Sequence, residues 1–318
     1  MKVSLVTRSG LLLSLLLATG CPPPAVSVRP YPAPTAQDLL AQLQRSRDQT
    51  RTLRARAKAD YMDRGQRVKI DLSMLAERPQ RLRLAGENSL MGPLLTVATD
   101  GSEFYLLDVR ENRFLRGQVN PCNMSRILGL TFHPSQLVEV LMGGTPILTE
   151  ATDRQVSWDP REGGRDVLEL RDARGVTEII RFQRLPGPAG SPLSSAGPAI
   201  WDVREAEGRN AMGTVVWRLR HEDFSWQRLQ AEGDSDTAAG SSGSLRLPSV
   251  TYLEDPPRKS DVRLRWRERE WNQAIDAKLF HLDPPAGIPI EPDTCSLSPA
   301  APVPSPVASP DQPEVRGP

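Results

Sequence analysis

Strict alternation of apolar and charged residues across segment 53–84 constrains this chain more than any other feature. Leu53, Ala55, Ala57 and Ala59 alternate with Arg54, Arg56, Lys58 and Asp60. After the turn Asp63-Arg64-Gly65, Val68, Ile70, Leu72 and Met74 alternate with Lys69, Asp71 and Ser73. Leu82 and Leu84 then alternate with Arg81 and Arg83. A period of two sends successive side chains to opposite faces of a strand. Such segments form antiparallel strands with one buried and one solvated face.

The same pattern recurs along the chain. Strands are expected near 94–99 and 103–109, joined by the hairpin signal Asp100-Gly101, and near 113–116. More are expected near 154–158, 166–171, 176–184, 199–206, 213–220, 224–229, 245–253 and 261–269, with a last one near 275–281. Segments 185–198 and 231–244 read as loops. A short amphipathic helix is expected over 37–47, capped by Thr35 or Asp38. Pro121 to Leu141 breaks the alternation and predicts two short helices, the second starting after Pro134. Strands and helices do not alternate, which excludes a doubly wound sheet. The expected fold is mainly β: one curled antiparallel sheet forming an unclosed barrel, with a few short helices as its lid or plug.

The N-terminus has its own grammar. Lys2 and Arg8 precede the apolar run Leu11 to Leu17, then Ala18-Thr19-Gly20-Cys21. Charged, apolar and small-residue regions in that order form a secretory signal, too short to span a bilayer stably. The cysteine after small residues resembles a bacterial lipobox, although Ala18 stands where Leu is more usual. The resemblance implies a signal over 1–20, an acyl chain on Cys21, and a protein anchored in the cell envelope. Pro22 in place of an Asp implies the outer membrane, facing the periplasm. Residues 21–36 read as a proline-rich tether, 37–290 as the β domain, and 291–318 as a disordered proline-rich tail. In an oxidising compartment Cys122 and Cys295 form one disulfide or remain two free thiols.

The residues that usually carry chemistry are scattered. His133, His221 and His281 lie at no metal-ligand spacing, and His221, beside Glu222 and Asp223, is read as a surface residue. No serine sits in a Gly-x-Ser-x-Gly turn, and Gly143-Gly144 and Gly163-Gly164 lack the Lys-Ser/Thr of a phosphate loop. The expectation is a non-enzymatic protein with no cofactor and no metal. Lys and Arg number 40 against 39 Asp and Glu, so nothing favours a nucleic-acid partner. The Arg-rich faces of 51–58 and 263–269 read as solvated faces paired with acids on neighbouring strands. Aromatic residues are 5% of the chain, too few for the girdles of a membrane barrel.

Four features together resemble the LolA/LolB-type lipoprotein-localisation superfamily. They are the helix 37–47 leading into a long strand ending at Tyr61; the long meander 53–63, 67–76 and 80–87; the segment Gly86 to Leu95 before the Asp100-Gly101 hairpin; and the close from Phe280 to Gly287, similar to F-x-L-x-x-P-x-G. The resemblance implies a hydrophobic cavity inside the curled sheet, shielding the acyl chain of a lipid or lipoprotein. The residues expected to line it are Leu72, Met74, Leu82, Leu84, Leu90, Met91, Leu95 and Phe104, with Ile127, Leu128, Leu137 and Leu141 on the lid. Two alternatives stay open at this point. The helices either cover an open cavity or plug it. The protein either handles acyl chains or scaffolds envelope protein partners through its sheet edges and proline-rich tail.

Overall fold

The alternation of residues 53–84 is realised as three neighbouring strands of a much larger sheet. The computed structural model describes residues 27–63, 65–120, 123, 132–185, 200–229 and 243–292. Six strands run as a meander: β1 (Thr52–Asp63), β2 (Gln66–Glu77), β3 (Arg81–Asn88), β4 (Gly92–Thr99), β5 (Glu103–Asp108) and β6 (Arg113–Gln118). A second meander holds β7 (Asp153–Asp159), β8 (Arg165–Arg171), β9 (Thr177–Arg184), β10 (Trp201–Arg209), β11 (Val215–Arg228), β12 (Ser244–Asp255) and β13 (Ser260–Trp271). Antiparallel pairing of β1 with β13 welds the two into one sheet. A short β14 (Ile290–Pro292) joins β6 in parallel, leaving β14 and β7 as the edges of a curled, unclosed sheet.

Among the described residues, two helices lie against the inner face. In α1 (Ala36–Asp48), Thr35 is the cap. Its Oγ1 accepts from the Asp38 amide at 3.1 Å, and Asp38 Oδ2 accepts from the Thr35 amide at 2.8 Å. This capping box satisfies amides that a helix start leaves unpaired. The bonds from Thr35 also hold the Asp38 carboxyl below the usual carboxylate range. In α2 (Pro134–Leu141), Pro134 occupies the first turn, where its missing N–H costs nothing. His133 caps α2, and burial pushes its imidazole pKa down, which suits its role as acceptor from the Ser135 amide.

One core runs through both meanders. Leu39 and Leu43 of α1 share it with Leu53 of β1, Leu82 of β3, Phe182 of β9, Leu219 of β11 and Trp271 of β13. A core that draws on strands so far apart in sheet order requires the sheet to wrap round its helices. On the outer face Lys58 meets Asp71 at 3.0 Å and Arg67 meets Asp60 at 2.7 Å, as expected of solvated faces.

Three local features depart from expectation. Segments 213–220 and 224–229 are one strand, β11; Asp223 adopts a φ of 54° and pairing resumes at Phe224 in unbroken register. The last strand, expected near 275–281, is instead a 3-10 turn over Ala277–Phe280, capped by Asp276, followed by β14. Phe280 is fully buried, while Leu282 and Ile288 pack on Ala98, Tyr105 and Phe114 on the outer face of β4–β6. Third, the described part of the proline-rich N-terminal region is bound along β7 and β8. The Ser27 amide donates to Pro160 O at 3.1 Å, Trp158 Nε1 donates to Ser27 O at 2.7 Å, and Arg29 pairs with Asp166 at 3.0 Å.

Candidate functional site

The inner face gathers most of the apolar residues singled out in the sequence. Met74, Leu82, Leu84, Leu137 and Leu141 are buried in the common core, with Leu72 and Leu95 half-buried against it. Phe104 is buried too, opposite Thr99, which itself faces Leu82. Leu90 and Met91 belong elsewhere. They stand on the β3–β4 turn, 96% and 58% exposed, outside any interior. Asn88 Oδ1 accepts from both their amides, at 2.9 and 3.3 Å, and so fixes the turn that projects them. Ile127, Leu128, Cys21, Cys122 and Cys295 lie outside the described residues.

Between α1, α2 and the sheet remains a void of about 40 Å³, lined by Leu43, Arg47, Arg78, Glu139, Thr145 and Leu247 among others. Ligand pockets usually run from about 300 to 1,000 Å³. Among the described residues, α1 and α2 plug this part of the sheet. The plug is held by more than apolar contact. Glu139, in the middle of α2 and 6% exposed, accepts from Arg47 of α1 at 2.9 Å and from Arg78 of the β2–β3 turn. Arg78 also donates to Thr50 O at 2.6 Å. Burial lowers the Arg78 pKa against the pull of Glu139, so the carboxylate is what keeps this guanidinium charged inside. One carboxylate therefore ties both helices to the strands.

Other polar groups sit inside. His221 corrects the surface reading: it is 1% exposed. Its Nδ1 lies 3.1 Å from Thr251 Oγ1 and its Nε2 2.9 Å from Gly144 O. Burial pushes its pKa down to about 4, so the ring is neutral at pH 7. Alternation along β11 puts His221 in phase with Trp217 and Leu219, and that phase, not the acidic neighbours, decides its side. Arg269 also turns inward. A register shift opposite Arg56/Ala57 pairs Arg269 with Ala55, so the guanidinium donates to Pro248 O at 2.7 Å and its burial lowers its pKa to about 10. Glu178 of β9 is 4% exposed, and its Oε2 accepts from the Leu148 amide at 2.5 Å. Burial raises its pKa to about 8.

Glu139, Glu178 and Arg269 were not among the residues expected from sequence. A signal existed for the first: a lone carboxylate inside Leu137-Val138-Glu139-Val140-Leu141 needs a cationic partner once the helix is buried. Among the described residues no three of His, Cys, Asp and Glu converge as metal ligands. No described helix is long and apolar enough to cross a membrane.

No protein-family model matches the chain, and no curated protein does. Among solved structures it is similar to a LolA superfamily protein from Nitrosomonas europaea, at 13% identity and a TM-score of 0.47, covering 79% of this chain and 99% of that one. A domain from Vibrio parahaemolyticus described as an outer membrane lipoprotein-sorting protein gives 9% identity and a TM-score of 0.48, covering 77% and 97%. A DUF1329 family protein from Desulfovibrio piger gives 8% and 0.47, covering 77% and 95%.

Proposed function

We propose that this protein is a lipid-anchored envelope protein that shields the acyl chain of a lipid or lipoprotein between its helices and the inner face of its sheet. The anchor is Cys21 and the address the outer membrane, facing the periplasm. The observation that carries this reading is the construction of the interior: an apolar inner face closed by two helices that one carboxylate, Glu139, fastens. Removing α2 from the sheet uncovers Leu82, Leu84, Leu137 and Leu141 together, a continuous apolar lining. No covalent chemistry is required. Ile127 and Leu128 belong to the same proposed lid.

The closed void favours a second reading. A sheet whose described helices leave about 40 Å³ beneath them is also a rigid body on which envelope proteins assemble. Titration of the full chain with a dansylated fatty acid separates the two. Saturable fluorescence at one ligand per chain supports acyl shielding. No binding, together with a stable envelope complex recovered by crosslinking, supports the scaffold.

Leu90 and Met91 extend the first reading to delivery. A Leu90→Asp substitution puts a charge on an exposed turn whose backbone Asn88 holds, so the melting temperature is expected to stay within about 1 °C of the parent. Acyl transfer from the loaded protein to vesicles is expected to slow about tenfold, because one exposed Leu contributes roughly 1.5–3 kcal/mol on entering an apolar phase. An unchanged transfer rate removes the turn from delivery.

A further inference from the structure

On the outer face, beside the Leu90 turn, lies a groove of about 460 Å³ with an unusual charge pattern. Five basic side chains line it, Lys58, Lys69, Arg263, Arg265 and Arg267, against two acids, Asp60 and Asp71. Both acids are already engaged, Asp71 by Lys58 and Asp60 by Arg67. Lys69, Arg265 and Arg267 have no ion pair among the described residues, and all three are exposed. Arg263 lies over the Tyr252 ring at 5.1 Å, and its buried Nε has no hydrogen-bond partner there.

The register makes this arrangement costly. Lys58 stands directly opposite Arg265 across the β1–β13 pair. Like charges placed opposite each other destabilise a sheet. At other places on the outer face a carboxylate answers the cation, as at Arg218 with Glu254 and Arg116 with Glu103. The bulge in β13 adds to the excess. Ala57 pairs with Trp266 and Arg56 with Glu268, which leaves Arg267 as the extra residue on the same outer side as Arg265. Leu90 itself lines the groove, so the unpaired cations and the most exposed leucine share one rim.

We propose that this groove docks the protein on a bilayer by taking the phosphate of an anionic phospholipid headgroup, while Leu90 and Met91 enter the apolar layer beneath it. Interfacial binding of this kind needs both parts, an apolar wedge and cations at headgroup depth. The phosphate is held between Lys69, Arg265 and Arg267, and its charge relieves the repulsion between Lys58 and Arg265. The proposal deepens the delivery step above and names its target surface. It is tested without a loaded acyl chain, so it fails or survives separately from the shielding reading.

The experiment is sedimentation of the full chain, carrying Cys21→Ser, with vesicles of phosphatidylcholine alone or with one quarter phosphatidylglycerol. Parent and variants carry the same N-terminal segment, with Lys2 and Arg8, so its contribution is common to all and cancels when their anionic-to-neutral ratios are compared. The parent is expected to bind the anionic vesicles at least about tenfold more tightly, an advantage that fades with added salt. The double substitution Arg265→Glu and Arg267→Glu is expected to abolish the ratio with an unchanged circular dichroism spectrum, since both side chains are exposed. Leu90→Asp is expected to weaken both vesicle types and leave the ratio. Glycerol phosphate at millimolar concentration is expected not to compete. Equal binding to both vesicles, a ratio that survives the double substitution, or competition by glycerol phosphate at low concentration each overturns the proposal, the last by assigning the groove to a free phosphate compound.

Discussion

A Glu139→Ala variant is expected to lose about 3 kcal/mol of unfolding free energy and to take up a dansylated fatty acid more readily than the parent. Removing one member of a buried ion pair typically costs about 3–5 kcal/mol, because the partner is left charged and poorly hydrated. Here the partners differ in what they can recover. The Arg78 side chain is 15% exposed and stays stranded, whereas Arg47, at 32%, regains some water. The lower end of the range follows. The same change removes the carboxylate that joins α1, α2 and the β2–β3 turn, which is why uptake and stability move in opposite directions. Urea denaturation and fluorescence titration of the same sample check both. A loss under about 1 kcal/mol means both guanidiniums rehydrate and the carboxylate is not a fastening.

A Glu178→Gln variant is expected to change how stability depends on pH. Glu178 has a native pKa of about 8 against an ordinary 4.5, raised by burial and opposed by the bond from Leu148. Between those values the native state keeps a proton that the unfolded chain has released. Stability from this group is therefore complete below pH 4.5 and lost as pH rises through 8. His221 acts in the opposite sense. Its native pKa of about 4 lies below 6.5, so stability is lost as pH falls from 6.5 towards 4. The two slopes oppose each other at acid pH, and above pH 6.5 Glu178 acts alone. At roughly 1.4 kcal/mol per pH unit, the parent should lose about 2 kcal/mol between pH 6.5 and 8. In Glu178→Gln that slope should vanish while the acid-side loss remains. Denaturant titrations at four pH values decide it, and a parent whose stability is flat from pH 6.5 to 8 refutes an uncharged Glu178.

The strands were legible in the sequence because alternation states burial directly. Leu53 to Ala59 and Leu82 to Leu84 fall on the inner face as their phase demands. Thr35 and Pro134 marked their helix starts because caps are local chemistry. Errors came where a neighbouring strand or the far end of the chain decides the outcome. The shift opposite Arg56/Ala57 exchanges the sides of Arg269 and Glu268, and nothing within β13 announces it. The segment around Phe280 read as strand because its local pattern is apolar, yet its course is set by Leu282 and Ile288, which pack on a sheet face formed by Ala98, Tyr105 and Phe114 far upstream. The candidate cavity was legible as a list of apolar side chains but not as a volume. Whether helices leave a space or fill it depends on how closely they approach, which side-chain type alone does not encode.

The bound segment beginning at Ser27 sets a mooring length. Five residues lie between Cys21 and Ser27, which makes six steps along the chain. Six residues span at most about 20 Å when fully extended, at roughly 3.3–3.6 Å each. With an acyl anchor on Cys21, as proposed, the β7–β8 turn that holds Ser27 rides close to the bilayer instead of sweeping a wide arc above it. On that proposal the body stays within reach of one bilayer, and whatever it exchanges arrives beside it.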